Sequence, residues 1–304
     1  MPFPNAYDVR TGLRQIVSYS AAILPLDTGI RFERWFRGYE EKKKLDAADG
    51  VIASFGKSGR TWLRVLLWRY FAKKNGFESD SLSSFDEFRL KNPNVPVLFF
   101  THDNYLKDYL GHDRKPEIYR SLPIVLLVRD PRDTAVSQFF QWKHRMATRK
   151  KVINGYPLSD LSVHDFIAGE EAGIPKIISF MNEWAEEIGK MPKLLVVKYE
   201  ELRADTKGEL RRILEFFGQH PVDAELEDAV SFASIENMRR MEIENAKKAG
   251  AHRSMKPGDA NDPSSFKVRR GKVGGWHDYV TEEQAAALDR MVREKLNPVY
   301  GYNR

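Results

Sequence analysis

The sequence predicts an α/β fold, a three-layer sandwich in which helices cover both faces of a central parallel sheet. Four short segments are continuous apolar runs rather than alternating patterns, which is typical of parallel strands buried on both faces. Helical patterns separate these segments, and such alternation favours a doubly wound sheet. With 304 residues, 42% of them hydrophobic, the chain is long enough to form one large domain of this kind.

The first predicted strand leads through a glycine-bearing loop into a helix. Residues 51–55 (VIASF) form the strand, and residues 56–59 (GKSG) interrupt it. Apolar residues then recur at helical spacing, at Leu63, Leu66, Leu67, Tyr70 and Phe71. The free backbone N–H groups and the dipole at the start of such a helix make this loop a candidate anion site.

Three further apolar runs predict strands, at residues 95–101, 124–128 and 193–197. The second strand is followed by His102, the third by Arg129, and the fourth ends near Tyr199. Ligands of an open parallel sheet bind beyond the carboxyl ends of its strands. These three side chains and the first loop are therefore expected to converge on one site.

Helix signals follow the third and fourth strands. Asp130 is placed to cap a helix whose first residue is Pro131. Asp205 or Thr206 can cap a later helix that Gly218 stops. The basic residues of the earlier helix are expected on a solvated face: Arg132, Lys143 and Arg145.

The chain is predicted to consist of an N-terminal segment, residues 1–49, and a single domain, residues 50–304. The N-terminal segment is expected to be helical and connective and to pack on the domain. Residues 247–275 are rich in Gly, Pro, Ser, Lys and Arg, which predicts a long surface loop. Loops of this length in compact domains are usually functional lids or disordered segments.

The amino-acid composition indicates the cellular compartment and the kinds of ligand that suit this chain. The chain has no cysteine, which excludes disulfides and thiolate metal sites and suits a reducing compartment. Its start lacks the pattern of a secretory signal, and no apolar run approaches the roughly 20 residues of a membrane helix. We therefore expect a cytoplasmic protein. The net charge of +6 fits a solvated surface, or attraction of a polyanion such as a bis-phosphorylated nucleotide or nucleic acid.

The first loop differs from the phosphate loop of enzymes that use nucleoside triphosphates. That motif, G-x-x-x-x-G-K-[ST], requires a glycine six positions before Lys57, where this chain has Val51. The third strand is followed by Arg129 where a Mg²⁺-binding aspartate would be needed, and Asp130 beside it is expected to act as a helix cap. Because arginine binds phosphate in bidentate fashion, the pattern indicates phosphate binding without a metal.

Taken in order, the motifs resemble those of the PAPS-dependent sulfotransferase family, whose donor is 3′-phosphoadenosine 5′-phosphosulfate (PAPS). Residues 56–62 (GKSGRTW) resemble its 5′-phosphosulfate loop, and residues 128–137 (VRDPRDTAVS) resemble its 3′-phosphate segment. Residues 268–276 (VRRGKVGGW) are similar to its late R-K-G-x-x-G-x-W motif, and residues 100–102 (FTH) match the strand end that carries its catalytic histidine. The resemblance covers about residues 50–295. It implies the P-loop-NTPase-like sulfotransferase fold of the cytosolic type.

The resemblance implies two catalytic residues. Lys57 would hold the oxygen that bridges sulfate and phosphate as negative charge builds there. His102 would take the proton from the acceptor hydroxyl as that hydroxyl attacks sulfur in line, and histidine is the usual base near neutral pH. No metal is implied, because Lys57, arginines and backbone amides would neutralise the leaving nucleotide.

The resemblance also implies three groups of residues that bind PAPS. The 5′-phosphosulfate loop contributes Lys57, Ser58, Gly59, Arg60 and Thr61. The 3′-phosphate would be held by Arg129 and Ser137, with Arg269, Arg270 and Gly271 from the late loop. The adenine would be bordered by Trp62, Tyr199, Ser234 and Ile235. The loop at residues 247–275 would then cover the cofactor.

The chain departs from the family pattern at three places. Arg60 replaces a small threonine, which adds charge beside the donor; contact with phosphate, with the acceptor and with solvent all stay open for it. Gly275 replaces an acidic residue that often precedes the tryptophan. Residues 277–286 keep only the threonine of the family's dimerisation segment, so the oligomeric state is open as well.

The sequence leaves the acceptor unidentified beyond a hydroxyl on a phenol, alcohol, sugar or lipid-like molecule. An apolar slot for it could be lined by Phe139, Phe140, Trp142 and Tyr156, which could equally be core residues. Residues 16–36 could lie on a membrane surface and make peripheral contact, or they could simply pack on the domain.

Two other classes of function fit parts of the pattern. A P-loop-type nucleotide kinase or phosphotransferase would require ATP and Mg²⁺, and the missing first glycine counts against it. A non-catalytic binder of 3′,5′-bisphosphorylated adenosine, or of nucleic acid, would not need Lys57 and His102 together. The basic runs lack interleaved aromatic residues, so we expect no nucleic-acid partner.

Overall fold

The computed structural model describes residues 17, 21, 23–77, 85–119, 122–247 and 256–303. Within them, four strands form one sheet: β1 (Gly50–Ala53), β2 (Leu98–Thr101), β3 (Ile124–Val128) and β4 (Leu194–Lys198). All neighbouring strands are parallel, in the order β2-β1-β3-β4. The predicted parallel sheet is confirmed. Parts of the predicted N-terminal segment and of the long loop lie outside the described residues.

The strands are buried on both faces. Every residue of β1 and β3 is buried. Val51 packs in the core cluster on one face of the sheet, and its neighbour Ile52 packs in the cluster on the other face. Leu126 and Leu127 of β3 are divided between the same two clusters. Each strand side chain therefore needs an apolar partner on its own face, which explains the continuous apolar runs and confirms the three-layer sandwich.

Helices fill the two outer layers. In chain order they are α1 (Leu26–Asp46), α2 (Arg60–Lys74), α3 (Phe85–Lys91), α4 (Leu106–Leu110), α5 (Lys115–Tyr119), α6 (Pro131–His144), α7 (Thr148–Ile153), α8 (Val163–Ala168), α9 (Ile174–Ala185), α10 (Tyr199–Ala204), α11 (Thr206–Phe216), α12 (Asp223–Phe232), α13 (Ile235–Lys247) and α14 (Glu282–Lys295). Short 3₁₀ turns span Pro263–Ser265, Gly275–Tyr279 and Pro298–Tyr300. One face of the sheet is covered by α2, α11 and α12, the other by α6, α9 and α14. None of the described helices is both long and apolar enough to cross a bilayer.

Local geometry confirms the helix signals. The five apolar residues predicted on one face of α2 are all buried. The Asp130 carboxylate accepts a hydrogen bond of 2.8 Å from the Arg132 amide, and Pro131 begins α6. Of the two candidate caps for α11, Asp205 is the one used, accepting 2.8 Å from the Gly208 amide.

The solvated basic face predicted for α6 is wrong for two of its three residues. Arg132 is only 9% exposed and pairs with Asp289 of α14. Arg145, just past the helix, pairs at 3.0 Å with Glu242 of α13, whose side chain is fully buried. Lys143 is 40% exposed. Because a buried charge requires a partner, these pairs hold α13 and α14 against α6.

Close backbone contact joins α1 to the domain at α4. A Cβ at Gly38 would lie 2.3 Å from the Tyr105 carbonyl oxygen and 2.7 Å from Cβ of Tyr109, so only glycine permits this approach. One helical turn earlier, the Arg34 guanidinium donates to both carboxylate oxygens of Asp108, at 3.0 and 2.8 Å. These contacts bring the polar face of α1 to the edge of the site described next.

Candidate active site

The carboxyl ends of the strands open into one cavity of about 1520 Å³. Thirteen of the fifteen predicted site residues line it: Lys57, Gly59, Arg60, Thr61, Trp62, His102, Arg129, Ser137, Tyr199, Ile235, Arg269, Arg270 and Gly271. The other two do not. Ser58 is buried, and the Ser234 hydroxyl accepts a 3.3 Å hydrogen bond from the Asn237 amide in the first turn of α13. Motifs far apart in sequence therefore meet at one edge of the sheet.

The loop between β1 and α2 turns tightly around Lys57. This residue has a φ of +75°, a left-handed conformation that costs a non-glycine residue about 1 kcal/mol or more. Gly59, with a φ of +96°, precedes the first residue of α2. Burial, followed by the nearby charges of Arg145 and Arg269, lowers the pKa of Lys57 to about 7. The loop thus holds a lysine whose charge depends on what occupies the cavity.

The Tyr199 ring packs against this loop at Gly59. A Cβ at Gly59 would lie 2.6 Å from its ring, and the Arg129 guanidinium lies 4.4 Å from the ring centre. Trp62 packs edge-on against Tyr199, and its indole N–H donates to the Ala233 carbonyl at 2.9 Å. Tyr199 is only 7% exposed, so most of its surface serves packing, whereas Trp62 contributes a wall of the cavity.

Arg129 links the first loop to the late loop. Its guanidinium donates to the carbonyl of Lys57 at 3.4 Å and to that of Lys272 at 3.3 Å. Its ion-pair partner is Asp133, at 3.5 Å. Its Nε is buried and has no hydrogen-bond partner. An arginine with an unused buried donor at the cavity wall is suited to a further anionic oxygen.

Two buried carboxylates fix the late loop, residues 256–274. Asp133 accepts hydrogen bonds from the amides of Gly274 at 2.8 Å and Trp276 at 3.0 Å. Glu242 accepts from the amides of residues 267–268, at 2.7 and 3.1 Å. The segment between these anchors carries three of the predicted phosphate ligands, Gly271 and the arginines Arg269 and Arg270, and it closes one side of the cavity.

Those two arginines differ in environment. The Arg269 guanidinium lies 3.4 Å from the centre of the Phe140 ring and donates to the Tyr279 hydroxyl at 3.0 Å. Arg270 is more exposed and pairs with Asp278 at 2.7 Å. Arg269 is therefore held in place by an aromatic platform, while Arg270 lies at the rim.

The apolar slot considered for the acceptor is not present. Phe139 and Trp142 are core residues, 4% and 1% exposed. Phe140 lies beneath an arginine, as described above. Tyr156 alone of the four lines the cavity, and its hydroxyl accepts a 2.9 Å hydrogen bond from the Gln138 side chain.

His102 is held in one tautomer. Its Nδ1 lies 2.9 Å from the Ser54 carbonyl oxygen, which can only accept, so Nδ1 carries the proton. Its Nε2 lies 2.6 Å from Nη2 of Arg60, a donor, so Nε2 presents its lone pair. Burial, followed by the charge of Arg60, holds the pKa of His102 well below its usual range. The ring is therefore neutral, with the basic nitrogen facing the cavity.

Positive charge around the cavity exceeds what the motifs predicted. Among the described residues, sixteen lysines and arginines line it against three carboxylates. Eleven of the sixteen belong to no predicted site: Arg34, Arg37, Lys107, Arg145, Arg149, Lys150, Lys176, Arg203, Lys256, Lys267 and Lys272. The net charge of +6 was the only sequence signal for them, since they come from seven separate parts of the chain.

Comparison with known proteins identifies one family. A family model described as Sulfotransferase domain matches residues 47–299. Cytosolic sulfotransferase 17 of Arabidopsis thaliana is 28% identical over 271 residues, which cover 82% of this chain and 74% of that protein. Flavonol 3-sulfotransferase of Flaveria bidentis is 24% identical over 274 residues, which cover 84% of each protein.

Solved structures show the same fold. A mouse sulfotransferase complexed with PAP, the product adenosine 3′,5′-bisphosphate, superposes with a TM-score of 0.57 at 21% identity, covering 86% of this chain and 91% of that one. Retinol dehydratase in complex with androsterone and inactive cofactor PAP gives a TM-score of 0.53 at 17% identity, covering 81% and 79%. The predicted P-loop-like sulfotransferase fold is confirmed.

Replacing Arg60 tests the arrangement at the histidine. Arg60→Thr removes the guanidinium from Nε2, so the pKa of His102 should rise toward its ordinary value of about 6.5. Titration of the histidine ring by ¹H–¹⁵N NMR measures this shift directly. The control is Arg290→Thr, at an exposed arginine outside the cavity lining. An unchanged His102 pKa in Arg60→Thr would contradict the contact.

Proposed function

This chain belongs to the sulfotransferase domain family, and we propose that it transfers a sulfuryl group from PAPS to a hydroxyl of an acceptor. The observation that carries the proposal is the meeting of Lys57, Arg129 and Arg269 with His102 around one cavity. A phosphate-binding loop, two further phosphate ligands and a neutral base are the parts that such a transfer requires. The PAP complexes of the structural neighbours support the choice of donor.

The donor would lie between the first loop and the late loop. The loop amides and Thr61 would bind the 5′-phosphate, and Arg129, Ser137 and Arg269 the 3′-phosphate. Ser137 faces the cavity from α6, the helix whose Asp133 also holds Arg129. The unused buried Nε of Arg129 supports this assignment, because a phosphate oxygen would satisfy it. PAPS, when bound, supplies the sulfuryl group and departs as PAP.

Lys57 would stabilise the leaving nucleotide. Its pKa is lowered to about 7 by burial and by neighbouring arginines. The phosphates of a bound donor would oppose these effects and favour the charged ammonium. A full positive charge would then be present where the bridging oxygen becomes negative.

His102 would act as the base. As the acceptor oxygen forms its bond to sulfur and the bond from sulfur to the bridging oxygen breaks, Nε2 takes the hydroxyl proton. The hydrogen bond from Nδ1 to Ser54 keeps the ring oriented throughout. Arg60 must first leave Nε2, because one lone pair cannot serve both the guanidinium and the hydroxyl.

Relatives named cytosolic sulfotransferases support a cytoplasmic setting for this chain. The relative named flavonol 3-sulfotransferase supports a small-molecule acceptor. Peripheral membrane contact is supported by apolar side chains that are exposed in and before α1: Ile23, Leu24, Leu26, Phe32 and Trp35. The remainder of the segment considered for that contact lies outside the described residues.

The donor assignment is tested by titrating PAP calorimetrically without Mg²⁺, with adenosine 5′-phosphate and ATP as comparisons. We expect PAP to bind most tightly. Arg129→Ala should weaken PAP binding about ten- to a hundredfold, the effect of losing a charge-assisted hydrogen bond, and adenosine 5′-phosphate binding much less. Arg290→Ala serves as the control. Equal losses for both nucleotides would contradict the 3′-phosphate assignment, and a preference for Mg-ATP would favour a kinase.

Because the pKa of Lys57 is lowered to about 7, we expect PAP binding to be accompanied by proton uptake above neutral pH. Lys57 is charged in both states well below pH 7, so it contributes little pH dependence to the affinity there. Above pH 7 the free lysine is neutral and must gain a proton on binding, so affinity should fall as pH rises. Calorimetry at pH 8 in buffers of different ionisation enthalpy measures the uptake. Lys57→Met should abolish it, and uptake that persists in this variant would point to another group.

The base is tested with His102→Ala. Sulfuryl transfer, followed as PAP release with any hydroxyl compound that the wild-type enzyme sulfates, should fall about 10²–10⁴-fold, the usual contribution of a general base. Affinity for PAP should stay within about twofold of wild type, since His102 lies outside the phosphate ligands. Normal turnover would remove His102 from the chemistry, while a parallel loss of PAP binding would indicate a structural role.

A further inference from the structure

The cavity lining is strongly cationic, and much of its charge is already paired. Arg34 pairs with Asp108, Arg37 and Arg149 pair with Glu33, and Arg145 pairs with Glu242. These cations mainly hold helices together. The residues that matter for ligand recognition are those that face the cavity with their charge not matched by a carboxylate.

Arg60 is such a residue. Its Nη2 contacts neutral His102, and its Nη1 is buried without any hydrogen-bond partner. Among the described residues, no carboxylate lies within ion-pair distance of it. Glu41 acts on it from farther away, and burial together with Asp103 raises the pKa of that carboxyl to about 7, so Glu41 is only partly charged at neutral pH. A partly buried guanidinium with an unpartnered nitrogen and no counter-ion is costly unless a ligand supplies one.

Further cationic side chains lie near Arg60 and His102 in the cavity lining. The Lys176 ammonium is bonded to two backbone carbonyls, of Asn154 and Glu171, each at 2.8 Å, and these partners carry no charge. Lys150 and Lys267 are near enough to His102 to lower its pKa. The charges that act on the pKa of His102, those of Arg60, Lys150 and Lys267, are therefore all positive.

The position of Arg60 sets where a counter-ion would lie. Its Nη2 is 2.6 Å from Nε2 of His102, the atom that receives the acceptor proton in the proposed function. An anionic group on Arg60 would consequently lie within a few ångströms of the reacting hydroxyl. The threonine that the family has at this position carries no charge, so the feature belongs to this chain.

We propose that the acceptor carries an anionic group, a carboxylate, phosphate or sulfate, next to the hydroxyl that is sulfated, and that Arg60 binds this group. On binding, the guanidinium moves from Nε2 to the anion, and the lone pair becomes available to the hydroxyl. The anion satisfies the buried Nη1 in the same step. This proposal rests on the proposed function, because it takes His102 as the base.

Matched acceptors test the proposal. The enzyme is saturated with PAP, and calorimetry then measures the binding of three pairs that differ in one charged group: 3-hydroxybenzoate and 3-hydroxybenzyl alcohol, methyl β-glucuronoside and methyl β-glucoside, glycerol 3-phosphate and glycerol. We expect the anionic member of at least one pair to bind about tenfold or more tightly than its neutral partner, the effect of a charge-assisted hydrogen bond. The pair that responds also distinguishes carboxylate from phosphate.

Arg60→Thr should reduce that ratio at least fivefold, whereas Arg290→Thr should leave it unchanged. In the wild-type enzyme, the bound anion should also raise the His102 pKa seen by NMR, because the guanidinium has left Nε2.

Neutral members that bind as well as anionic ones, or no binding of any anionic member, would overturn the proposal. If Arg60→Thr still prefers the anionic member of the pair, Arg60 is not the residue that binds the anionic group. Failure of PAP itself to bind would instead refute the proposed function, so the two failures are distinct.

Discussion

Unbalanced positive charge at the carboxyl edge of the sheet is the constraint on which this structure depends. Sixteen basic residues converge there against three carboxylates in the described lining. Part of this charge is offset by two buried carboxylates, Asp133 and Glu242, which pair with Arg129 and Arg145 and also hold the late loop. A further part is removed by neutralisation, since burial and neighbouring cations push Lys57 and His102 toward their uncharged forms. Ligands are expected to supply the remaining negative charge.

This constraint connects the donor and acceptor proposals. A bis-phosphorylated nucleotide would restore the charge of Lys57 at the oxygen where negative charge develops. The charges of Lys150 and Lys267 would continue to favour the neutral form of His102 after Arg60 has left its ring. Electrostatic preorganisation of this kind needs no rearrangement of the scaffold, because the late loop is already anchored at residues 267–268 and at Gly274.

The fold and the convergence of the predicted residues on one cavity could be predicted because their signals are local. A continuous apolar run, an Asp-Pro cap and a glycine-bearing loop each depend on a few adjacent residues, and the strand ends were correct to within three residues. Arg132 and Arg145 could not be predicted as buried, because their partners Asp289 and Glu242 are about a hundred residues or more away in sequence. Helical spacing shows which residues share a face, but not which distant carboxylate forms an ion pair with an arginine on that face.

Arg60 is the site residue whose contacts could least be predicted from the sequence. The sequence marked it as a departure from the family and left phosphate, acceptor and solvent as possible contacts. The structure places its guanidinium on the basic nitrogen of His102, 42 positions away, and leaves the other amino group buried without a partner. A neutral acceptor would have to displace this arginine from the histidine and leave its charge without any counter-ion. An anionic acceptor removes both costs in one step, because the group that draws Arg60 away also compensates its charge.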